Sequence, residues 1–428
     1  MACMRVCPTQ AIRVRSGKAA ILNDRCIECG ECVRVCPNHA ILPLTGSFSE
    51  LSKFKYTVAL PSPVFYSQFG KDIRPGTILN ALKQVGFNDA YDVACASESV
   101  SIAIQEYLDS NDSPRPLISP FCPVIVRLIQ IRFPNLLENL IPIESPMEIA
   151  AREVKRLKMH ELGLRENDIG VVYLTPCPAK MISLKQPPRK KHSFLDGMIA
   201  ISEIYPTVLQ VLSKADGRGL EQEIRGLGLG WPILGGQVSC LKAEDCLAIS
   251  GLSDVMRVFG EIENGKLRDV QYIECHSCPT ACVGGALTVE NQYIARGRVL
   301  RMVGKYGSVP CQDRQKIREL YEKRFFSLVG DIAPNPIQPL DSDISKAIQK
   351  MHQKHKIHEI LPKIDCGGCG APTCLTFAED VVKGQATVDE CVFLAMKTFE
   401  SLSGNLMEAV LKHSRKIRGN VEIKNYET

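Results

Sequence analysis

The chain has 428 residues, 52 Lys and Arg against 47 Asp and Glu (net charge +5), and 45% hydrophobic residues. That charge is too small for a nucleic-acid binder, no run of eighteen apolar residues marks a membrane span, and Cys, Pro and Arg break up any signal-peptide core at the N-terminus. The expectation is two to four domains in the cytoplasm, where nineteen cysteines read as metal ligands before disulfides.

In chain order, the first 50 residues form an expected ferredoxin-like α+β module. Residues Cys26–Pro37, CIECGECVRVCP, carry the C-x2-C-x2-C-x3-C-P run of bacterial ferredoxins. Three closely spaced thiolates grip one [4Fe–4S] cube, and the fourth cysteine serves the other cluster of a pair. A zinc knuckle is the weaker alternative. Upstream, Cys3 and Cys7-Pro8 match the last two cysteines of a second run. By the crossed rule Cys7 joins Cys26, Cys29 and Cys32, while Cys3 and Cys36 are left as half a site. A start inside a motif points to a longer natural protein, or to one degenerate cluster.

Residues 51–330 alternate strand and helix patterns. KYTVALPSP (Lys55–Pro63) reads as a buried strand, GTILNALKQVGF (Gly76–Phe87) as a helix and NDAYDVACA (Asn88–Ala96) as a strand. ESVSIAIQEYL (Glu98–Leu108) then reads as a helix. RPLISPFCP (Arg115–Pro123) and IGVVYLTPCPAK (Ile169–Lys180) read as strands that each end at a Cys-Pro. This alternation predicts an α/β fold with largely parallel sheets, whose chemistry sits beyond the strands' carboxyl ends. The basic stretch QPPRKKH (Gln186–His192) reads as a solvated loop.

A proline-rich linker at 331–345 leads to a C-terminal domain at 346–428. There Cys366, Cys369, Cys374 and Cys391 are spaced x2, x4 and x16 among glycines. Four thiolates suit a [4Fe–4S] cube, with zinc as the alternative. The CGGCGAPTCLTFA pattern resembles the four-cysteine Fe–S domain of redox subunits and corrinoid-pathway proteins. An apolar and basic helix with a frayed tail is expected after it.

Cysteines 122 and 177 stand singly, whereas IECHSCPTACVGG (Ile273–Gly285) holds Cys275, Cys278 and Cys282. Taken alone, each single cysteine reads as a small buried hydrophobe. Together, between two iron–sulfur modules, Cys122, Cys177, Cys278 and Cys282 read as ligands of a third cube. The segments SPFCPVI, TPCPAK and ECHSCPTACVGG resemble the three signature loops of the [FeFe]-hydrogenase catalytic domain, written TSCCPxW, MPCxxK and ExMxCxxGCxxGG. The resemblance covers about residues 55–300. Ser145–Pro146 and ILGGQV (Ile233–Val238) fall where that family has further pocket segments.

The resemblance implies a two-lobed hydrogenase-like catalytic domain. Cys122, Cys177, Cys278 and Cys282 would hold its cube, with Cys282 bridging to a two-iron subcluster bearing CO, cyanide and a dithiolate. Lys180 matches the lysine that binds a cyanide, Ser62 a second cyanide partner, and Gly235, Gly236, Gly284 and Gly285 leave room for the cofactor. Implied substrates and partners are H2, protons and a redox protein such as ferredoxin or a signalling subunit. Nucleic acid and membrane are not expected.

The departures fall on proton transfer. Phe121 replaces the relay cysteine, the acid expected after Lys180 is absent, Thr175 replaces one methionine and His276 another. This is the pattern of slow, sensory members. His276 is expected either as a substitute relay or as a hydrogen bond to a cluster sulfur or a surface residue. Cys275 is expected as a relay thiol or a bystander. A non-catalytic electron-transfer subunit without the two-iron group is the alternative function. Cys95, Cys240, Cys246 and Cys311 belong to no motif and read as core or exposed thiols.

Overall fold

The computed structural model describes residues 1–110, 114–185, 193–214, 224–328 and 330–418; the basic stretch Gln186–His192 lies outside them. The chain folds as two compact units. One combines Met1–Arg25 with Ile337–Thr428, and the other is Cys26–Pro336. The boundary therefore cuts through the 1–50 module expected from the sequence and joins the first part of it to the C-terminal domain.

In the first unit, β1 (Ile12–Arg15) and β2 (Lys18–Ile21) form an antiparallel hairpin. Its turn is Ser16-Gly17, both with positive φ (49° and 74°), as a two-residue hairpin loop of matching twist requires. The C-terminal segment supplies the helices Ile344–Ile360 and Cys374–Val382, each started by a side-chain cap, Asp343 and Thr373. Charge joins the two pieces. The buried Arg13 grips Asp380 through Nε (2.6 Å) and Nη2 (3.0 Å), Arg15 adds a contact at 2.9 Å, and Arg25 pairs with Glu379. Two-toothed Arg–carboxylate pairs fix orientation as well as distance.

In the second unit, β3 (Tyr56–Pro61), β4 (Asp89–Ala90), β6 (Ile169–Thr175) and β7 (Gly197–Ala200) make a parallel sheet in the order β4-β3-β6-β7. Between them in sequence, β5 (Leu117–Ile118) joins β8 (Cys246–Ser250) and β9 (Tyr272–His276) in a second parallel sheet, ordered β5-β9-β8. β6 is buried along its whole length, so its run of Ile, Val, Tyr and Leu shows no alternation. Two parallel sheets in one unit make the α/β fold that the strand pattern predicts, in the two-sheet form that the resemblance implies.

The expected strand Asn88–Ala96 stops after Ala90, and a helix runs from Val93 to Ser110. Asp92 causes this: its carboxylate accepts the Ala94 N–H at 3.0 Å and caps the helix start. Cys95 is thereby placed on a helix, where it forms a disulfide with Cys311 (Cα–Cα 5.5 Å). These two cysteines are neither ligands nor free thiols. The strand expected over Arg115–Pro123 is confined to Leu117–Ile118, and the helix Pro123–Arg132 starts after Cys122, because proline at the first helical position suits a helix start.

Glu379 also receives Lys354 (3.2 Å) and Lys383 (2.9 Å). Burial raises its pKa, but Lys383, Arg25 and Lys354 outweigh that and bring it down to about 2. A depressed carboxylate stabilises the fold above its unfolded pKa of about 4.3 and loses that contribution as pH falls towards 2. Glu379→Gln should cost about 3 kcal/mol at pH 7 and flatten the stability profile between pH 4 and 2, as measured by urea unfolding of the full chain.

Candidate metal centre

The two sheets aim their carboxyl ends at one place. β3 runs into Ser62, β6 into Cys177, β5 into Phe121 and Cys122, and β9 into Cys278 and Cys282. A cavity there is lined by Ser62, Phe121, Ser145, Lys180, His276 and Cys282 among others. Residues far apart in sequence thus share one wall, at the place where parallel α/β folds put their chemistry.

The four single-loop cysteines sit within electrostatic reach of one another. Burial, then Cys122, push the Cys177 thiol up to about 11, with Lys180 and its own backbone contacts pulling the other way. Burial, Cys177 and Cys122 also raise Cys278. Cys282 differs: burial raises it, but Lys180 and a hydrogen bond from His276 bring it down to about 7. Ser277 Oγ lies 3.5 Å from the Cys122 thiol and 3.9 Å from that of Cys278. Arg34 Nη2 reaches the Cys278 sulfur at 3.8 Å and also holds the Gly284 carbonyl. Among the described residues no three His, Cys, Asp or Glu side chains converge as a single metal ion requires.

Glu274 organises the wall and escapes notice in the sequence. It is fully buried, yet its Oε1 accepts the Gly235 N–H (3.0 Å) and its Oε2 the N–H groups of Gln237 (2.9 Å) and Val238 (3.0 Å). His276 Nε2 lies 2.8 Å from Glu274 Oε1, and the ring also hydrogen-bonds Cys282. Burial alone would lower the His276 pKa, but the Cys282 and Glu274 contacts raise it to about 10. The ring is therefore a buried, proton-holding link between a carboxylate and Cys282, and not a surface residue. Gln237, also in the cavity wall, accepts from Ser119 (2.9 Å) and Tyr272 (3.0 Å).

Two expectations need correction. Strand alternation places Glu274 and His276 on one face of β9 and sends Cys275 to the other, into an apolar cluster with Ile118, Ile125 and Phe259. Cys275 is not among the residues that line the cavity, which is the place of a bystander and not of a relay thiol in its wall. Nor do all four glycines leave room for a cofactor. A Cβ on Gly236 would lie 1.9 Å from the Gly230 carbonyl oxygen, one on Gly285 2.3 Å from that of Pro176, and one on Gly284 2.5 Å from Thr280 Oγ1. These three admit neighbouring protein atoms, while Gly235 meets nothing and serves a left-handed turn (φ 81°). Phe121 fills its position by packing on Trp231, ring centres 5.2 Å apart, and Trp231 Nε1 donates to Ser101 Oγ at 2.8 Å.

The flanking cysteines show cluster-like backbone. In Cys7–Ala11 and Cys36–Ala40 the N–H four residues on points at the sulfur, at 3.2 Å in both turns. Gln10 and His39, three residues on, are both left-handed. This is one turn used twice. Cys29 packs with Ile27 and Ala179 in the cluster that also contacts Cys122 and Cys177, while Cys26 and Cys32 flank it in sequence. In the C-terminal domain Cys369, Cys374 and Cys391 share one small cluster, and Cys366 and Cys391 raise the Cys369 pKa in addition to its burial.

Comparison with known proteins agrees. Residues 55–211 match the family model "iron only hydrogenase large subunit, C-terminal domain", residues 1–41 a 4Fe-4S dicluster domain, and residues 361–393 an Fe–S cluster model. The middle of the chain is thus similar to the iron-only hydrogenase large subunit, with iron–sulfur segments on either side in sequence. Iron hydrogenase 1 of Clostridium pasteurianum is 28% identical over 148 residues, 33% of this chain and 25% of that protein. The corrinoid/iron-sulfur protein large subunit of Moorella thermoacetica is 37% identical over 57 residues, 13% of each. The chain thus spans a quarter or less of the length of these two relatives. In fold, an apo form of the [FeFe]-hydrogenase HydA1 of Chlamydomonas reinhardtii, a single-site variant, superposes with a TM-score of 0.50 at 13% identity, covering 68% of this chain and 97% of that one.

The hydrogenase-like cavity suits a polar, anionic group by its donor set. Lys180 stands beside Cys282, Cys177 and Cys122 and, among the described residues, pairs with no carboxylate. Ser145 Oγ is buried in the wall with no hydrogen-bond partner. A half-buried cation and an unsatisfied hydroxyl both gain from an anionic, hydrogen-bonding occupant. Glu274→Gln should cost about 2–4 kcal/mol and release the amides of Gly235, Gln237 and Val238 to fast hydrogen exchange, with protection elsewhere in the unit retained.

Proposed function

We propose that this protein is a slow [FeFe]-hydrogenase-like oxidoreductase that interconverts H2 with protons and electrons in a sensory or electron-routing role. The observation that carries the reading is the convergence of Cys282, Lys180, Ser62 and Phe121 on one cavity, beside Cys122, Cys177 and Cys278. In this reading those four cysteines hold a [4Fe–4S] cube, and Cys282, Lys180 and Ser62 hold the two-iron group. When bound, that group, with its CO, cyanide and dithiolate ligands, supplies the H–H bond chemistry and the electron exchange.

The chain's own residues set the conditions. Lys180 keeps positive charge in the wall and brings Cys282 close to neutral pH for ionisation, so a thiolate is available without strong base. His276 holds a proton between Glu274 and Cys282. Phe121 offers no titrating group where a relay would stand, and its contact with Trp231 keeps water from that side. Proton supply is then the slow step. Electrons enter through the flanking clusters, with Cys26, Cys29 and Cys32 at one and Cys366, Cys369, Cys374 and Cys391 at the other. Cys29 lies against the same apolar cluster as Cys122 and Cys177, which favours the first as the near inlet. The expected partner is a soluble redox protein of the ferredoxin type or a signalling subunit. No helix among the described residues is long and apolar enough to cross a membrane, and a cytoplasmic setting is part of this proposal.

The Phe121–Trp231 packing also suits a second reading, an electron-transfer subunit that keeps the cube and never takes up the two-iron group. Infrared spectroscopy after anaerobic maturation separates them: the enzyme reading requires bands from bound CO and cyanide, and Cys282→Ser should remove them. Their absence from a protein with full iron–sulfur signals would establish the wire. In protein that shows the bands, Phe121→Cys should raise H2 evolution about 100-fold, the usual scale of a positioned proton relay. An unchanged rate would show that proton access is not what limits turnover.

A further inference from the structure

A second cavity lies in the same unit. It encloses about 260 Å³, and its wall carries five cations, Lys71, Arg74, Arg298, Arg301 and Lys305, against one carboxylate, Asp72. The cations come from two elements. The loop before the helix Pro75–Val85 gives Lys71 and Arg74. The helix Gln292–Tyr306 gives Arg298, Arg301 and Lys305, spaced i, i+3 and i+7, so they share one face. The floor is apolar and aromatic, with Tyr66 and Phe69 buried and Tyr306 at the rim.

Such a concentration of positive charge in a concavity repels itself unless something anionic is present. Arg298 has its own partners: it donates to the Ser67 carbonyl (3.0 Å) and pairs with Glu290 (2.7 Å), which fixes the wall. Among the described residues no carboxylate pairs with Lys71, Arg301 or Lys305; Lys305 Nζ lies 5.0 Å from the centre of the Tyr306 ring. The eleven-residue helix Pro75–Val85 begins in this wall, with Arg74 and Pro75 lining the cavity and no acid in its first turn, so its positive end adds to the field. Guanidinium groups suit phosphate oxygens in two-toothed contacts, and flat aromatic walls suit a flat apolar group. A concave site at the small end of the ligand-pocket range favours a small molecule over a protein surface.

We propose that this cavity binds a small phosphorylated molecule carrying a flat, apolar part, of the nucleotide class. Its phosphates sit among Lys71, Arg301, Lys305 and the start of the helix Pro75–Val85, and its flat part lies towards Phe69 and Tyr306. The site shares a wall with the metal cavity, since the short helix Pro63–Tyr66 starts beside Ser62 in one and ends at Tyr66 in the other. The proposal does not depend on the two-iron group and can be tested on the full chain without it.

Titration calorimetry with ATP, with pyrophosphate and with a polyglutamate peptide decides the matter. Saturable ATP binding is expected, at least tenfold tighter than pyrophosphate and weakened at least tenfold by the double change Arg301→Glu and Lys305→Glu. Both positions are exposed on a helix surface, and an unchanged melting temperature checks that the variant is folded. Arg301→Lys, which keeps the charge and loses the two-toothed contact, should weaken binding by less than the double change does. Three results each overturn the proposal: no saturable ATP binding, equal affinity for ATP in wild type and double variant, or pyrophosphate or polyglutamate binding as tightly as ATP. The last would mark a plain anion hole or an acidic-protein dock.

Discussion

The metal-site wall depends on one buried carboxylate. Glu274 has no access to water, and three backbone N–H groups and His276 surround its carboxyl oxygens. Each contact alone is modest, but removing the carboxylate would leave all of those donors unsatisfied in a dry place. The loop 235–238 takes its path from this grip. So does His276, whose other contact, Cys282, is the cysteine whose ionisation differs from that of its neighbours. A short chain of contacts runs from carboxylate to imidazole to thiol, and Lys180 also acts on that thiol.

This arrangement answers the problem of gathering soft, ionisable ligands inside a protein. Thiols gathered in one wall add to the effect of burial on their neighbours, raising the pKa values of Cys177 and Cys278. Cations placed nearby reverse the effect selectively. Lys180 and His276 act on Cys282, while Arg34 stands by Cys278. The thiols are therefore not equivalent before any iron arrives, and the asymmetry comes from the protein. In the same wall Phe121, which carries no titrating group, packs against Trp231.

Much of this was legible in the sequence, for identifiable reasons. Fully buried parallel strands such as Ile169–Thr175 read as unbroken apolar runs, and a Cys-Pro at the end of one marks the carboxyl edge of a sheet. Cysteine spacing is local and survives without coordinates. What was hidden depends on three-dimensional neighbours. The role of Glu274 needs the loop 235–238 brought against it from about forty residues away. The face of Cys275 depends on the register of β9, where a single residue's step exchanges core for cavity. Gly236, Gly284 and Gly285 suggested space for a ligand, but the crowding around them comes from backbone and side chains brought close by the fold, at Gly230, Thr280 and Pro176. Cys95 was misplaced because Asp92, read as part of a strand, caps a helix.

The first unit carries a consequence for how the protein is made. Arg13 on the opening hairpin and Asp380 are 367 residues apart in the chain, and Arg25 and Glu379 are 354 apart. A ribosome releases the hairpin long before its partner carboxylates. The intervening unit Cys26–Pro336, with a core of its own, has time to fold in between, while the hairpin waits with its arginines unpaired. Completion of the first unit therefore reports that synthesis has passed Asp380. A product truncated before Glu379 would leave the N-terminal arm without its lock, marking it as unfinished for any protease that cuts loose ends.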